Sequence, residues 1–420
     1  MTKIALLLGT RDLITLRRYL LLLKPLSDRG ISCVIVDAGK ISNEIVEETK
    51  RHLGVTARHE YRPLTIPAAT TPCEEVENLP RLRKNPSFNM NRIEDLLAGL
   101  DVDIASLIGS RIKRLFPHFQ TCQRAAAKLL DELEPSCLLF NIELPMPVRA
   151  LLWQCRKRGI ATVSMEHAEG YGEQYGFLPC LGDYHIAYGE HNREALLHMG
   201  APTDRIFVTG APDTDLLYRL DRPALKRSWR SRMNLQGDKP LLLVALKPDY
   251  LKTYARMNTW LLETCQRVLT MAAPHDVLIK IHPVDGGTAH ERIAAWCGER
   301  AGFYAVEGSA PMLEMLAISD RFLTFKSAAL VEALLLDVPL LLLDQPDHGV
   351  WPAWGRFGVY RQCEPDRLEA ELALFLDHPR AAASAHERNA REDFIRHFRY
   401  KIDDGAAQRV VTAIGAICGG

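Results

Sequence analysis

Unbroken apolar runs of about five residues alternate along this chain with stretches in which apolar residues return every three or four positions. The run Lys3–Leu8 shows no polar alternation, the signature of a strand buried on both faces. Gly9-Thr10 then forms a turn. Asp12–Asp28 has helical spacing, with Leu13, Leu16, Leu20 and Leu23 near one face, and Ile31–Val36 is the next strand. A strand–helix–strand opening of this kind predicts a parallel sheet. After a proline-containing excursion over residues 61–86, helical spacing returns at Asn91–Phe116 and Cys122–Leu133. Strands are expected at Ser136–Phe140, Ala161–Met165, Tyr184–Ala187 and Ile206–Val208, and a helix at Pro147–Arg158.

Residues 221–239 are polar and basic, and the same grammar restarts at Pro240–Leu246. Strands are expected at Asp276–Ile281, Phe303–Val306, Arg321–Thr324 and Pro339–Leu343, with helices between them and three more after them. Two such series predict an α/β protein with two Rossmann-like doubly wound domains facing a cleft. The expected division is an acceptor domain over 1–220, a linker over 221–238, a nucleotide-sugar domain over 239–400 and a terminal helix over 401–420.

Composition narrows the class. The chain has 420 residues, too many for one ordinary core. Lys+Arg and Asp+Glu both number 52, so no polyanion such as DNA is expected as a partner. The ten cysteines include no C-x-x-C pair, which argues for a reducing compartment and against a zinc or disulfide framework. The apolar runs near the N-terminus are too short to span a membrane. The expected location is cytoplasmic, possibly peripheral on the inner face of a membrane through the basic segment Arg396–Lys401.

Ligands of open α/β sheets bind beyond the carboxyl ends of the strands, so chemistry is sought there. The run Ile279-Lys280-Ile281-His282-Pro283 places an imidazole where Pro283 forces the chain out of the sheet. Such an imidazole can hydrogen-bond a phosphate oxygen, or merely close a strand. In Thr324-Phe325-Lys326-Ser327-Ala328 a strand gives way to a helix whose free N–H groups suit an anion. Ser327 can add a bond to the same phosphate, or only cap the helix. Glu332 lies within reach of a ribose hydroxyl, and Lys247, after the second domain's first strand, is a further phosphate candidate. In the first domain, the stretch Ser164 to Gly172 offers Glu169, His167 and Glu166 as bases for an acceptor hydroxyl. Glu143 is a second acid after the strand Ser136–Phe140. Thr10 and Arg11, after the first strand, are candidate acceptor contacts. There is no G-x-G-x-x-G, Walker or H-E-x-x-H motif and no metal-ligand spacing, so neither metal nor cofactor is expected.

Four segments carry a resemblance. Phe207–Asp215 resembles the "v-t-G-n-P-x-x-D" segment of GT-B glycosyltransferases, Ile281-His282-Pro283 their His-Pro motif, Ser327–Ala333 with Val338-Pro339 their "S-S-x-x-x-E-A-l-x-x-g-x-P" segment, and Asp403–Ala406 their "D-G-x-A" segment. The groups sharing this set include capsule and lipopolysaccharide Kdo transferases, sialyltransferases and CDP-glycerol glycerophosphotransferases. The UDP-N-acetylglucosamine 2-epimerases share the scaffold. Their His-x-Glu-Ala-Gly stands against His167-Ala168-Glu169-Gly170 here, one residue short. The resemblance implies that His282 and Ser327 hold a donor phosphate and that Glu169 is the base. The expected activity is an inverting, metal-independent glycosyl transfer, from a CMP-sugar such as CMP-Kdo or from a UDP- or CDP-donor, to a surface polysaccharide or lipopolysaccharide, with the nucleotide-sugar and a glycan or lipid-linked glycan as partners. The alternatives are a UDP-N-acetylglucosamine 2-epimerase-like enzyme and a non-catalytic glycan-binding scaffold.

Overall fold

Every strand pairing recorded in this computed structural model is parallel. The structure describes the chain except residues 1, 10–12, 40, 68–103, 166–179, 236–237, 249–251, 270–274, 284, 286, 326, 344–353, 378–384 and 420. The first sheet is built from β1 (Lys3–Leu8), α1 (Leu13–Asp28), β2 (Ser32–Asp37), α2 (Asn43–His52), β3 (Glu60–Pro63), α3 (Ile104–Leu133), β4 (Cys137–Phe140), α4 (Met146–Arg158), β5 (Ala161–Met165), β6 (Tyr184–Ala187), α5 (Glu190–His198) and β7 (Ile206–Val208). Its strand order is β3-β2-β1-β4-β5-β6-β7.

Two short helices follow, α6 (Thr214–Arg219) and α7 (Arg222–Arg232). The second sheet then comprises β8 (Leu241–Ala245), α8 (Lys252–Leu269), β9 (Asp276–Lys280), α9 (Gly287–Gly298), β10 (Phe303–Val306), α10 (Met312–Ile318), β11 (Arg321–Phe325), α11 (Ala329–Leu335), β12 (Leu340–Leu343) and β13 (Arg361–Cys363). Its order is β10-β9-β8-β11-β12-β13. The chain ends with α12 (Leu368–Asp377), α13 (Ala385–Arg399) and α14 (Ala406–Gly419). In both sheets the first strand of the series lies beside the fourth, so each has one point where the winding reverses: β1/β4 and β8/β11.

The apolar runs read as strands buried on both faces do bury both. Leu241, Leu243, Phe322, Leu340 and Leu342 pack into one core of the second sheet. Their neighbours Leu242, Val244, Leu323, Leu341 and Leu343 pack into the other. In the first sheet Ala5, Leu7, Val34, Val36, Leu138 and Phe140 form one face against Cys122, Leu129 and Leu133 of α3 and Leu151 and Cys155 of α4.

Two local findings differ from the sequence expectation. The helices expected around Phe116 and Cys122 are a single α3 that carries Pro117 in its interior. The Thr121 hydroxyl donates to the Pro117 carbonyl at 3.0 Å, a bond one turn along that accompanies the proline. The polar stretch after Asp221 is helical: the Asp221 carboxylate accepts from the Ala224 N–H, and Trp229 is buried with Met315 and Leu316. Contacts divide the chain into two compact units, one on residues 1–167, 176–186 and 411–420 and one chiefly on 187–410. Among the described residues no helix is long and apolar enough to cross a membrane.

Inside the second unit, two segments singled out by resemblance turn out to be partners. The buried carboxylate of Asp215 accepts the N–H groups of Ala406 and Ala407, both at 2.9 Å, and so caps α14 from about 190 residues away. Arg409 Nε donates to the Thr209 carbonyl at 2.6 Å and Arg409 pairs with Asp403 at 2.9 Å. Loss of the Asp215 carboxylate strands two helix-terminal donors. Asp215→Ala is expected to cost on the order of 3 kcal/mol, read as a fall in melting temperature of roughly 10 °C. An unchanged melting curve would mean that water satisfies α14 as well as Asp215 does.

Candidate functional site

In the second sheet the loops after β9, β8 and β11, which are neighbours in that order, carry His282, Lys247 and Ser327. With strands about 4.8 Å apart, the ends of β9 and β11 are separated by roughly 10 Å, with the end of β8 between them. Each loop is held differently. Beyond β8, the buried Asn258 side chain on α8 imitates a paired strand: its Oδ1 accepts the Lys247 N–H at 3.0 Å and its Nδ2 donates to the Lys247 carbonyl at 2.8 Å. Asn258 carries no motif, and only its place on the inner face of an amphipathic helix could have drawn attention to it.

Beyond β9, the Asp285 N–H donates to the His282 carbonyl at 3.0 Å, closing a turn through Pro283. Lys280, expected among the phosphate ligands, is only 4% exposed, and its ammonium donates to the carbonyls of Ile281 at 3.0 Å and Gly308 at 2.7 Å. It ties the loop after β9 to the loop after β10. A Cβ at Gly308 would lie 3.0 Å from the His282 carbonyl oxygen, so that approach needs glycine. Burial, reinforced by the charges of Lys247 and Lys280, pushes the His282 imidazole down to about 4. It is therefore neutral at physiological pH and can give one N–H and accept one bond. Burial likewise lowers Lys247 to about 8.

Beyond β11, Ser327 does not cap α11: its hydroxyl is buried and meets no hydrogen-bond partner among the described residues. α11 has only seven residues, so its macrodipole is short. What the loop offers an anion is a hydroxyl committed to nothing else. Glu332 sits half-buried on α11. Lys326 lies outside the described residues.

In the first sheet the reversal point is the loop after β4, next to the end of β1. Gly9 lets the two approach: a Cβ there would lie 2.8 Å from Ile142 and from Val148. Asn141 Nδ2 donates to the Thr15 hydroxyl at 2.8 Å, binding this loop to α1. Glu143 follows, 1% exposed. Its Oε2 accepts the Leu181 N–H at 2.9 Å, while Oε1 is buried with no partner among the described residues. Arg149 Nε donates to the Glu143 carbonyl at 2.9 Å. Burial pushes the Glu143 carboxyl up to about 7, although bonds from the Leu181 and Gly182 N–H groups pull the other way. A carboxyl balanced between its two forms at neutral pH, with one oxygen uncommitted, can take or give a proton. Glu166, His167, Glu169, Thr10 and Arg11 lie outside the described residues. Among the described residues no group of three or more His, Cys, Asp or Glu side chains could hold a metal ion.

A family model described as UDP-N-acetylglucosamine 2-epimerase matches residues 178–400, more than half of the chain. No protein of curated function matches the sequence. Among solved structures, the chain resembles a UDP-GlcNAc 2-epimerase from Neisseria meningitidis bound to UDP-GlcNAc, 13% identical, with 98% of this chain and 99% of that one covered at a TM-score of 0.64. It resembles a Methanocaldococcus jannaschii UDP-GlcNAc 2-epimerase in complex with UDP-GlcNAc and UDP, 14% identical, covering 99% and 100% at 0.63. A glycosyltransferase from Rickettsia africae ESF-5 follows at 11% identity, 99% and 98% coverage and 0.56. At such identities the structures show the fold, a two-domain parallel α/β architecture. The expectation of a CMP-sugar transferase of the Kdo or capsule type is corrected by these findings. The family match falls on the epimerase alternative, because the segments read as transferase motifs belong to a scaffold both groups use.

Glu143 gives this site a measurable cost. Its folded value of about 7 stands above the ordinary carboxyl value of 4.5, so the folded state holds the proton more tightly and loses stability as pH rises from about 4.5 through 7. Glu143→Gln removes that loss. The variant should melt several degrees above the native protein at pH 8 and close to it at pH 5. A difference that does not change with pH would show that the carboxyl titrates normally.

Proposed function

The chain belongs to the UDP-N-acetylglucosamine 2-epimerase family, and from that premise we propose that it inverts C2 of a UDP-N-acetylhexosamine. The observation that carries the reading is the extent of the family match: residues 178–400 contain Lys247, His282 and Ser327, all placed at the carboxyl ends of adjacent strands. In this reading the loops after β8, β9 and β11 hold the diphosphate. The neutral His282 imidazole donates one N–H, Ser327 its uncommitted hydroxyl, and Lys247 its charge. Lys280 positions His282 by fixing the carbonyls on either side of the loop.

Inversion at C2 requires a proton to leave from one face and return to the other. That carbon has no adjacent carbonyl, so the electron pair freed at C2 needs an outlet. Departure of the diphosphate from C1 supplies one: the C2–H bond breaks, a C1–C2 double bond forms and the C1–O bond breaks. Addition in the opposite sense, with protonation from the other face, gives the epimer. Donors aimed at the leaving oxygen stabilise the charge that develops there, typically the largest single contribution in such steps. Glu143, titrating near neutrality, suits one of the two proton transfers, and Glu169 or His167, beyond the described residues, the other.

The test is incubation with UDP-N-acetylglucosamine alone in deuterated water, followed by NMR. The expected result is a second epimer carrying deuterium at C2. No conversion without an added acceptor would overturn the reading. Glu143→Gln should slow conversion by about a hundredfold or more, and His282→Ala comparably. The affinity for UDP should fall as pH rises through about 8 while Lys247 loses its charge, and Lys247→Met should flatten that dependence. A pH-independent affinity in the native protein would remove Lys247 from the phosphate site.

A further inference from the structure

The thiols of Cys137 and Cys418 meet at the amino end of the first sheet, opposite to the end that carries Glu143. Cys137 opens β4, pairs with Ile4 of β1 and Ala161 of β5, and is fully buried. Cys418 lies in the last turn of α14 and is partly exposed. Their meeting follows from the docking of α14. Arg29, just before β2, donates from Nη2 to the Thr412 hydroxyl at 2.7 Å and from Nη1 to the Val411 carbonyl at 3.4 Å. Gly415, three residues on, leaves room for the same guanidinium, since a Cβ there would lie 3.3 Å from Arg29 Nη1.

From that anchor, the six residues to Cys418 advance the helix by about 9 Å. From β2 across β1 to β4 the sheet spans roughly 10 Å, so the last turn of α14 reaches the amino end of β4. There the two thiols come within hydrogen-bonding reach of each other, which lowers the Cys418 thiol and, together with burial, raises that of Cys137. Cys155 on α4 is buried and close enough to Cys137 for the two charges to interact.

We propose that Cys137 and Cys418 are a peroxide-oxidisable thiol pair that staples the C-terminal helix to the first sheet. A hydroperoxide is the oxidant. The exposed Cys418 thiolate attacks a peroxide oxygen, giving Cys418 sulfenic acid and, for hydrogen peroxide, one water. The Cys137 sulfur then attacks the Cys418 sulfur. Its proton leaves with the displaced hydroxide as a second water, and the S–S bond forms. Two thiols are oxidised by two electrons and one peroxide is reduced to two waters. The crosslink closes a chain of nearly three hundred residues at the sheet's amino end, whereas Glu143 follows the carboxyl end of β4. Oxidation therefore acts on the stability of the first unit. The inference does not rest on the proposed epimerase activity.

The experiment treats the reduced full-length protein with hydrogen peroxide, alkylates the remaining thiols, and maps disulfides by mass spectrometry after digestion. The expected product is an intramolecular 137–418 crosslink, with a melting temperature raised by roughly 5 °C or more and restored by dithiothreitol. Cys418→Ser should abolish both the crosslink and the shift, and Cys155→Ser should leave both intact. A crosslink between Cys137 and Cys155, an intermolecular disulfide, or over-oxidation of Cys418 to sulfinic acid with no crosslink would overturn the proposal. If Cys418→Ser melts like the reduced native protein, a loss of crosslink in it reflects the missing thiol and not a loss of fold.

Discussion

A parallel strand covered on both faces has one place to present a polar side chain, the loop beyond its carboxyl end. Every apolar residue of β8, β11 and β12 is committed to one core or the other. The chemistry of this protein is thereby confined to loops, and the order of strands decides which loops are neighbours. At β8/β11 and at β1/β4 the winding reverses, the adjacent crossovers depart to opposite faces, and a gap opens at the sheet's edge. His282, Lys247 and Ser327 stand around one of these gaps and Glu143 at the other. The residue types there depart from the surrounding pattern for a physical reason: beyond the carboxyl ends of the strands a side chain is not committed to either apolar core.

Those groups remain expensive to hold. Among the described residues Glu143 keeps one oxygen without a partner and Ser327 a hydroxyl without one, and burial shifts Lys247 and His282 toward their neutral forms. In a core designed only for stability such features would be replaced by apolar side chains. Their supports are of ordinary kind: Asn258 holding the Lys247 backbone, Lys280 holding two carbonyls, Gly308 and Gly9 allowing close approach. A firm backbone around the Ser327 hydroxyl and the Glu143 carboxyl is what a binding site requires.

The fold was legible because its strands are apolar runs and its helices amphipathic, patterns that survive reading one residue at a time. The strand at Glu60–Pro63 and the short β13 were not, since EYRP and RQC carry no apolar run. Both are sheet-edge strands placed by pairing with β2 and β12. In the site, His282 and Ser327 could be found because they follow strands, but Lys280 could not be told from a phosphate ligand. The sequence places it beside His282, and only its three-dimensional surroundings show its ammonium turned to the Ile281 and Gly308 carbonyls. Glu143 was visible as an acid after a strand. Its elevated proton affinity was not, because burial is a property of the packed chain.

The same distinction explains why resemblance chose the wrong member of a shared scaffold. Of the four segments that carried it, two meet each other: the Asp215 carboxylate caps the helix that begins at Ala406, a contact that builds the unit. The other two, at His282 and Ser327, suit the grip on a phosphate. A transferase and an epimerase working on nucleotide-sugars both need such a grip, since in each the sugar's bond to the nucleotide breaks. Neither kind of segment can separate the two reactions. The choice depends on what stands over the sugar: a transferase needs one base and room for an acceptor hydroxyl, whereas inversion at C2 needs proton carriers on both faces. Motifs of scaffold and phosphate therefore narrow a chain of this type to its fold and its class of ligand. What separates the two reactions is the set of titratable groups over the sugar, and in the proposed reading Glu143, in a loop of the first sheet, is one of them.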